Sequence, residues 1–437
     1  FLGTAAAAAS LMGASAVRAA PPEASLRPML RGEDFFKRAV RSAKDIVGEA
    51  RLTDKVSFVV ADLNSGMTLE SADAVTSRPP ASVTKAITAL YALDALGPDH
   101  RFETRLLATG GVVDGEILGD LVLVGGTDTL ATMAANLKAA GIIGVRGDFK
   151  VYEASLPVLD RIDPEQPDQV GYNPGVSGLA LNYNRVHFEW KRANGKYSIT
   201  MEGRTERYRP AVRMAAMQVR DRSSPVYTYE NRSGRDAWTV ARGALGGSGA
   251  RWLPVRKPGL YAGEVFESLA GSNGIRLGAP KMISDLPVGE VLVDNQSEDL
   301  RSILRDMLKW STNLTAEMMG LAATAARGKP ADSLKASAQE MNDWAQSSLG
   351  MQSAALVDHS GLGDDSRLTA SDMVIALLKV HAEGMRDILK PIVMRDDSRR
   401  VIKDHPIKVD AKTGTLNFVS SLAGYLTGPD GTEMAFA

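Results

Sequence analysis

A chain of 437 residues is longer than one typical domain, so two or three domains are expected. Its 44% hydrophobic and 24% charged residues are those of an ordinary soluble globular protein. The lack of any Cys excludes disulfides, Cys-ligated zinc, a thiol nucleophile and lipid attachment through Cys, and the formal net charge of −1 conceals one strongly basic stretch.

The first 25 residues read FLGTAAAAASLMGASAVRAAPPEAS. An apolar run of small residues leads to Ala14-Ser15-Ala16, with Arg18-Ala19-Ala20 a poorer fit, and then Pro21-Pro22. That order predicts the later part of a signal peptide over residues 1–20, truncated because a basic start and an initiator Met are missing. A periplasmic location follows. No later run reaches the ~18 apolar residues of a membrane span, so none is expected in the mature chain.

Residues 55–62 (KVSFVVAD) and 67–70, joined by Asn64-Ser65-Gly66, predict a hairpin. After Pro79-Pro80 comes SVTKAITALYALDAL, whose Ala86, Ile87, Leu90, Tyr91, Leu93 and Leu96 lie nearly all round a helix. Such a helix is buried on most sides, and Gly97-Pro98 ends it. From Phe102 short strand patterns alternate with Gly turns, with a helix at about 131–140. Residues 185–257 are strand-rich and hold 16 Lys and Arg against 6 Asp and Glu. A helix follows at 261–270 and a strand at 290–294. Leu300, Ile303, Leu304, Met307 and Leu308 keep a helical period, WSTN interrupts it, and LTAEMMGLAATAA resumes it. Further helices are predicted at 332–349 and 370–381. Three strands close the chain, the last two joined by Gly428-Pro429-Asp430-Gly431. The class is α+β, with the first hairpin and the last strands sharing one sheet while the middle of the chain loops out.

Three short motifs stand in this framework. Ser82-x-x-Lys85 puts a hydroxyl and an amine one turn apart at a helix start, where free backbone N–H groups are also available. A neutral Lys can take the hydroxyl proton, and burial beside a second cation would make it neutral. Ser311-Thr312-Asn313 lies between two helical patterns, and Lys412-Thr413-Gly414 near the end of a strand pattern. Singly, these are a capped helix, an inter-helix turn and a strand end. Together, and in this order, they are the trio of penicillin-binding proteins and class A β-lactamases.

On that trio the chain resembles the penicillin-recognising D-alanyl-D-alanine peptidases, and most of all the low-molecular-mass class C enzymes of the penicillin-binding protein 4 type. DLVLVGGTDTL (120–130), SGLALNYNRV (177–186) and DHSGLGDDSRLTASDM (358–373) support that subgroup. So does the long gap between Ser82 and Ser311, which in this group houses two inserted domains. The resemblance runs from about residue 30 to 437. It implies an antiparallel sheet with helices, the penicillin-binding/β-lactamase-like transpeptidase fold. Its catalytic domain would be 30–98 and 285–437, with inserted domain II at 99–184 and 258–284 and a basic β-rich domain III at 185–257.

The resemblance also implies roles. Ser82 would be the nucleophile, Lys85 its base, and Lys412 a cation that lowers the pKa of Lys85. Ser311 would pass the proton to the leaving amine, and Asn313 would bind the substrate amide. Lys412 and Thr413 would hold the terminal carboxylate, Gly414 would let the substrate lie close, and the N–H groups of Ser82 and Thr415 would form an oxyanion hole. The substrates would be peptidoglycan stem peptides and cross-links, with β-lactams as covalent inhibitors and no metal, cofactor or nucleic acid. His359, Gly363 and Asp364 depart from the family's D-G-S-G-L-S-R, and Asp364 reverses the charge of an Arg that holds a diaminopimelate side chain. Arg367 is a candidate substitute, and the acidic partner of that subsite falls near Tyr152-Glu153. Asp128 is read as structural.

Five His show no metal spacing, no G-x-S-x-G elbow occurs, and GGTDT lacks the G-K-[ST] of a phosphate loop. Tyr208, Trp238 and Trp252 interleave with Arg in the basic stretch, where core packing or contact with a wall polyanion through Arg204, Arg207 and Arg209 is expected. Two rival readings remain: a β-lactamase or esterase with the same Ser/Lys machinery, or a non-catalytic wall-binding protein on this fold. The deacylating Glu motif of a class A β-lactamase is not found.

Overall fold

A computed structural model describes residues 42–50, 52, 55–126, 129–205, 207–417 and 419–437. The expected signal segment and Asp128 lie outside the described residues. Within the first unit, residues 1–55, the helix Ala43–Glu49 is capped by Ser42, whose hydroxyl accepts the Asp45 N–H. The remaining elements belong to the unit from Val56 to Ala437.

Strand patterns far apart in the chain build one antiparallel sheet. Its order is Lys390–Pro391, Lys408–Leu416, Val419–Thr427, Glu433–Phe436, Phe58–Asp62 and Thr68–Ala72. Val60 pairs with Phe436, so the first hairpin and the last strands are neighbours, as expected. Helices Thr84–Leu96, Leu300–Trp310, Asn313–Ala326, Leu334–Trp344 and Ala370–Val380 share its core, which includes Val59, Ile87, Tyr91, Leu304, Met319 and Tyr425. Every residue from Thr84 to Ala92 is buried, which is what a helix apolar all round requires. The helix stops at Gly97, whose φ of +83° suits glycine.

A second sheet runs Lys281–Ile283, Phe149–Tyr152, Leu121–Val124, Glu103–Ala108 and Glu290–Gln296. Helices Leu130–Ala139 and Pro258–Ser272 contribute Met133, Leu137, Tyr261 and Phe266 to its core. Glu290–Gln296 hydrogen-bonds to Glu103–Ala108 and completes this second sheet. A β-branched run alone does not say which distant strand it will pair with.

The basic stretch forms two three-stranded sheets. One holds Lys196–Glu202, Arg185–Ala193 and Ser248–Pro254; the other holds Ala215–Arg220, Arg235–Ala241 and Tyr227–Arg232. Phe188, Trp238, Val240 and Leu253 join the same apolar cluster as Tyr261 and Phe266. The α+β class holds, and the middle sheet and the basic sheets share one core rather than two. Among the described residues no helix is long and apolar enough to cross a membrane.

Candidate active site

Ala81–Val83 form a 3₁₀ turn that runs directly into the helix Thr84–Leu96. Ala81 has φ +48°, a left-handed conformation that strains a residue with a Cβ. The carbonyl of Ala81 lies against Gly361, where any side chain would collide with it. Ser82 is half-buried on this turn, and Lys85, one helical turn on, is fully buried.

The amine of Lys85 has three oxygen neighbours: Ser82 Oγ at 3.0 Å, Asn313 Oδ1 at 2.7 Å and the Ser360 carbonyl at 2.7 Å. Three acceptors satisfy an ammonium. A neutral amine has only two N–H bonds; if they go to Asn313 and Ser360, its lone pair faces Ser82 Oγ. Burial first, and then the charge of Lys412, push the Lys85 pKa down to about 7. The amine therefore spends a large share of its time neutral near neutral pH.

Ser311 caps the helix Leu300–Trp310 in the left-handed conformation, φ +59°. Its hydroxyl accepts from Lys412 Nζ at 2.9 Å, and Lys412 also donates to the Thr413 carbonyl at 2.5 Å. Burial, then Lys390, lower the Lys412 pKa to about 8. The strand Lys408–Leu416 pairs with Lys390–Pro391 only through Asp410 and Ala411. Beyond Ala411 its outer edge has no strand partner among the described residues, while its inner edge continues to pair as far as Leu416. Thr413 and Thr415 are exposed on that stretch. Gly414 is pressed against the nucleophile turn: a Cβ there would lie 2.8 Å from the Pro80 carbonyl and 3.0 Å from the Ser82 nitrogen. The three motifs thus surround one cleft.

Several contributors carry no sequence motif. The loop before the basic sheets reaches the cleft, where the Tyr172 carbonyl accepts from Asn313 Nδ2 at 3.0 Å. Glu317, four residues after Asn313 on the same helix, is fully buried and accepts the His359 and Ser360 N–H groups at 3.0 and 2.9 Å. Asp358 accepts the N–H groups of Gly361 and Gly363, both at 2.6 Å. Burial and then Asp358 raise the Glu317 pKa to about 8, and burial raises that of Asp358. The signal for Glu317 was a single acid in the apolar run LTAEMMGLAATAA. His359 is entirely buried. Its ring bonds to Ser337 Oγ at 2.8 Å and packs on Gly320, and burial drops its pKa to about 3.

Glu153 and Arg367, expected at the side-chain subsite, both have other partners. Glu153 turns to the start of helix Pro258–Ser272 and accepts the Gly259 N–H at 2.7 Å. Arg367 donates to backbone carbonyls of its own loop, Asp364 at 2.5 Å and Ser366 at 2.9 Å, while Asp364 is exposed. Trp238 is buried core, and Arg185 lies over the half-buried Trp252 ring, 5.6 Å from its centre. His187, Glu189 and Glu202 bring potential ligand atoms together away from the cleft. The guanidinium of Arg204 bridges the two carboxylates there and already supplies the cation.

The sequence signature of the D-Ala-D-Ala carboxypeptidase 3 (S13) family matches residues 40–437. A D-alanyl-D-alanine carboxypeptidase from Actinomadura sp. (strain R39) is 29% identical over 420 residues, covering 87% of this chain and 76% of that protein. D-alanyl-D-alanine carboxypeptidase DacB from Haemophilus influenzae is 23% identical over 429 residues, 87% and 84% of the two chains. The crystal structure of penicillin binding protein 4 from Haemophilus influenzae superposes with a TM-score of 0.74 at 20% identity, covering 91% of this chain and 92% of that one. Its complex with a β-lactam superposes with a TM-score of 0.69. The penicillin-binding fold with extra domains is thereby shared.

Proposed function

Because the chain belongs to the D-Ala-D-Ala carboxypeptidase 3 (S13) family of serine peptidases, we propose that it is a D,D-carboxypeptidase acting on peptidoglycan stem peptides outside the inner membrane. The same acyl transfer on a cross-link makes it a D,D-endopeptidase as well. The observation that carries this reading is the fully buried Lys85 amine, 3.0 Å from Ser82 Oγ with its other bonds spent on Asn313 and Ser360.

In this reading Ser82 Oγ attacks the carbonyl carbon of the penultimate D-Ala while neutral Lys85 takes its proton. The negative charge on the carbonyl oxygen is held by the backbone N–H groups of Ser82 and Thr415. The substrate lies along the open edge of Lys408–Leu416 as an added strand, its backbone close to Gly414. Asn313 binds its amide, and Lys412 with Thr413 holds the terminal carboxylate. The C–N bond breaks, the leaving amine takes its proton through Ser311, and D-Ala departs. Water then cleaves the Ser82 ester. A β-lactam forms the same ester, but its leaving amine stays tethered, so the ester persists. The same reading divides the chain into a catalytic domain, 30–98 and 285–437, and inserted domains at 99–184 with 258–284 and at 185–257, with Glu290–Gln296 pairing into the sheet of the first insert.

Mass spectrometry after penicillin treatment tests the assignment. One adduct on Ser82 is expected, lost in Ser82→Ala together with D-Ala release from a D-Ala-D-Ala peptide. Acylation at another residue, or none, overturns it. Steady penicillin hydrolysis without a lasting adduct points to a β-lactamase instead, and unchanged peptide release by Ser82→Ala removes the catalytic reading.

A further inference from the structure

The Ser82–Lys85 chemistry leaves two buried carboxylates without a task. We propose that Glu317 and Asp358 are a positioning pair that aligns the peptides from residue 358 to 361 and so aims the Ser360 carbonyl at the amine of Lys85. This rests on the reading of Lys85 as the base.

The connectivity is peptide by peptide. Glu317 Oε2 accepts the N–H of the 358–359 peptide and Oε1 that of the 359–360 peptide. The carbonyl end of the 359–360 peptide is held as well, because Thr88 Oγ1 donates to the His359 oxygen at 2.6 Å. The next peptide carries the Ser360 carbonyl, which accepts from Lys85, and its N–H, on Gly361, donates to Asp358 Oδ1. A carboxylate therefore grips one end of a peptide whose other end grips the base. The two ends polarise each other in the same direction. Gly361 also abuts the Ala81 carbonyl, so this segment touches the strained turn that carries Ser82.

A neutral amine rotates about its last carbon bond unless its N–H groups have fixed acceptors. Asn313 Oδ1 is one and the Ser360 carbonyl is the other. If the second acceptor is lost, the lone pair is no longer held toward Ser82 Oγ. Charge matters as well. The charged groups facing Lys85 are Lys412, which lowers its proton affinity, and Asp358 and Glu317, which raise it. Asp163 of the inserted part acts on Asp358 in turn, and the His359 ring stays neutral in the working range. With its pKa at about 8, Glu317 is mostly uncharged while Lys85 titrates, so its removal should misalign the base, whereas loss of the Asp358 charge should misalign the base and also lower its pKa.

The experiment follows penicillin acylation of the full chain against pH in Glu317→Gln and Asp358→Asn. Each amide keeps one acceptor and turns an NH₂ toward a backbone N–H. The expected result is a plateau lower by about 10–100-fold, as for a slightly misplaced catalytic group. In Asp358→Asn the rise of rate with pH should also move to lower pH, and in both variants KM for a peptide substrate should stay within about threefold of the parent. Ser337→Ala is the control. It removes a bond to the His359 ring in the same segment but leaves these peptides gripped, so it should lower thermal stability without moving the pH dependence. An unmoved acid limb in Asp358→Asn, or a rate loss in either variant no larger than that of Ser337→Ala, overturns the proposal. Failure of the parent protein to acylate at Ser82 would instead overturn the function it rests on.

Discussion

The cleft and the basic sheets both hold cations against protein oxygens, and they treat them in opposite ways. In the basic region the cations meet carboxylates. Arg204 bridges Glu189 and Glu202, and Arg213 reaches Glu267 at 2.5 Å and Glu264 at 3.7 Å. The hydrogen bond that Arg213 donates to Glu267 raises the pKa of Arg213 and fixes its charge. In the cleft Lys85 and Lys412 are buried against neutral oxygens: hydroxyls, an amide and carbonyls. Among the described residues no carboxylate lies within ion-pair distance of either. Burial without a counter-ion lowers their proton affinity, to about 7 and about 8. A paired cation is a structural part, whereas a buried unpaired one can trade its proton near neutral pH.

The comparison breaks most severely if the cleft is given what the basic sheets have. Asn313→Asp would place a carboxylate on Lys85 at the 2.7 Å contact. An opposite charge at that range raises a Lys pKa by about 1–3 units. Acylation at pH 7 should fall roughly 10–1000-fold and recover in part above pH 9. An acid limb that stays near pH 7 would show that the missing counter-ion is not what tunes Lys85. The unmodified protein offers a gentler test. Lys85 works as a neutral amine, so acylation should rise as pH climbs through about 7. Lys412 works as a cation, so peptide turnover should fall as pH climbs through about 8. The outcome is a narrow bell with its top between those values, read from kcat/KM against pH. A flat profile from pH 6 to 9 would contradict both assignments.

How much of this was legible in the sequence follows the same physics. Ser82, Lys85, Ser311, Asn313 and Lys412 were legible because each sits in a short motif on a strongly patterned element. The buried helix Thr84–Leu96 and the shared sheet were legible from apolar period and turn chemistry. The Ser360 and Tyr172 carbonyls were not, since any residue type supplies a carbonyl. Glu317 announced itself only as a lone acid among apolar neighbours, with nothing to say which N–H groups it would meet. Glu153 was legible as an acid near the expected subsite, yet the N–H of Gly259, over a hundred residues on, claims its carboxylate. The pairing of Glu290–Gln296 was equally hidden, because it depends on Glu103–Ala108 and not on its own residues.

The basic region sharpens the comparison from its other side. Arg204, Arg207 and Arg209 looked alike in sequence, as three charges for a wall polyanion. Arg204 is committed to Glu189 and Glu202, whereas Arg207 and Arg209 are exposed. Arg204→Ala should therefore act on stability. It leaves Glu202, 8% exposed, without its partner, at a cost of about 1–3 kcal/mol. Denaturation followed through the fluorescence of Trp238 and Trp252 would register it. Replacing Arg207 and Arg209 by Gln should leave that denaturation unchanged and weaken binding to isolated sacculi at low salt. The difference should vanish by about 0.5 M salt, where charges on a surface are screened within a few Å. Binding that is indifferent to both Arg would make them an ordinary solvated face, and the paired Arg204 would then be the only one of the three with an assignable task.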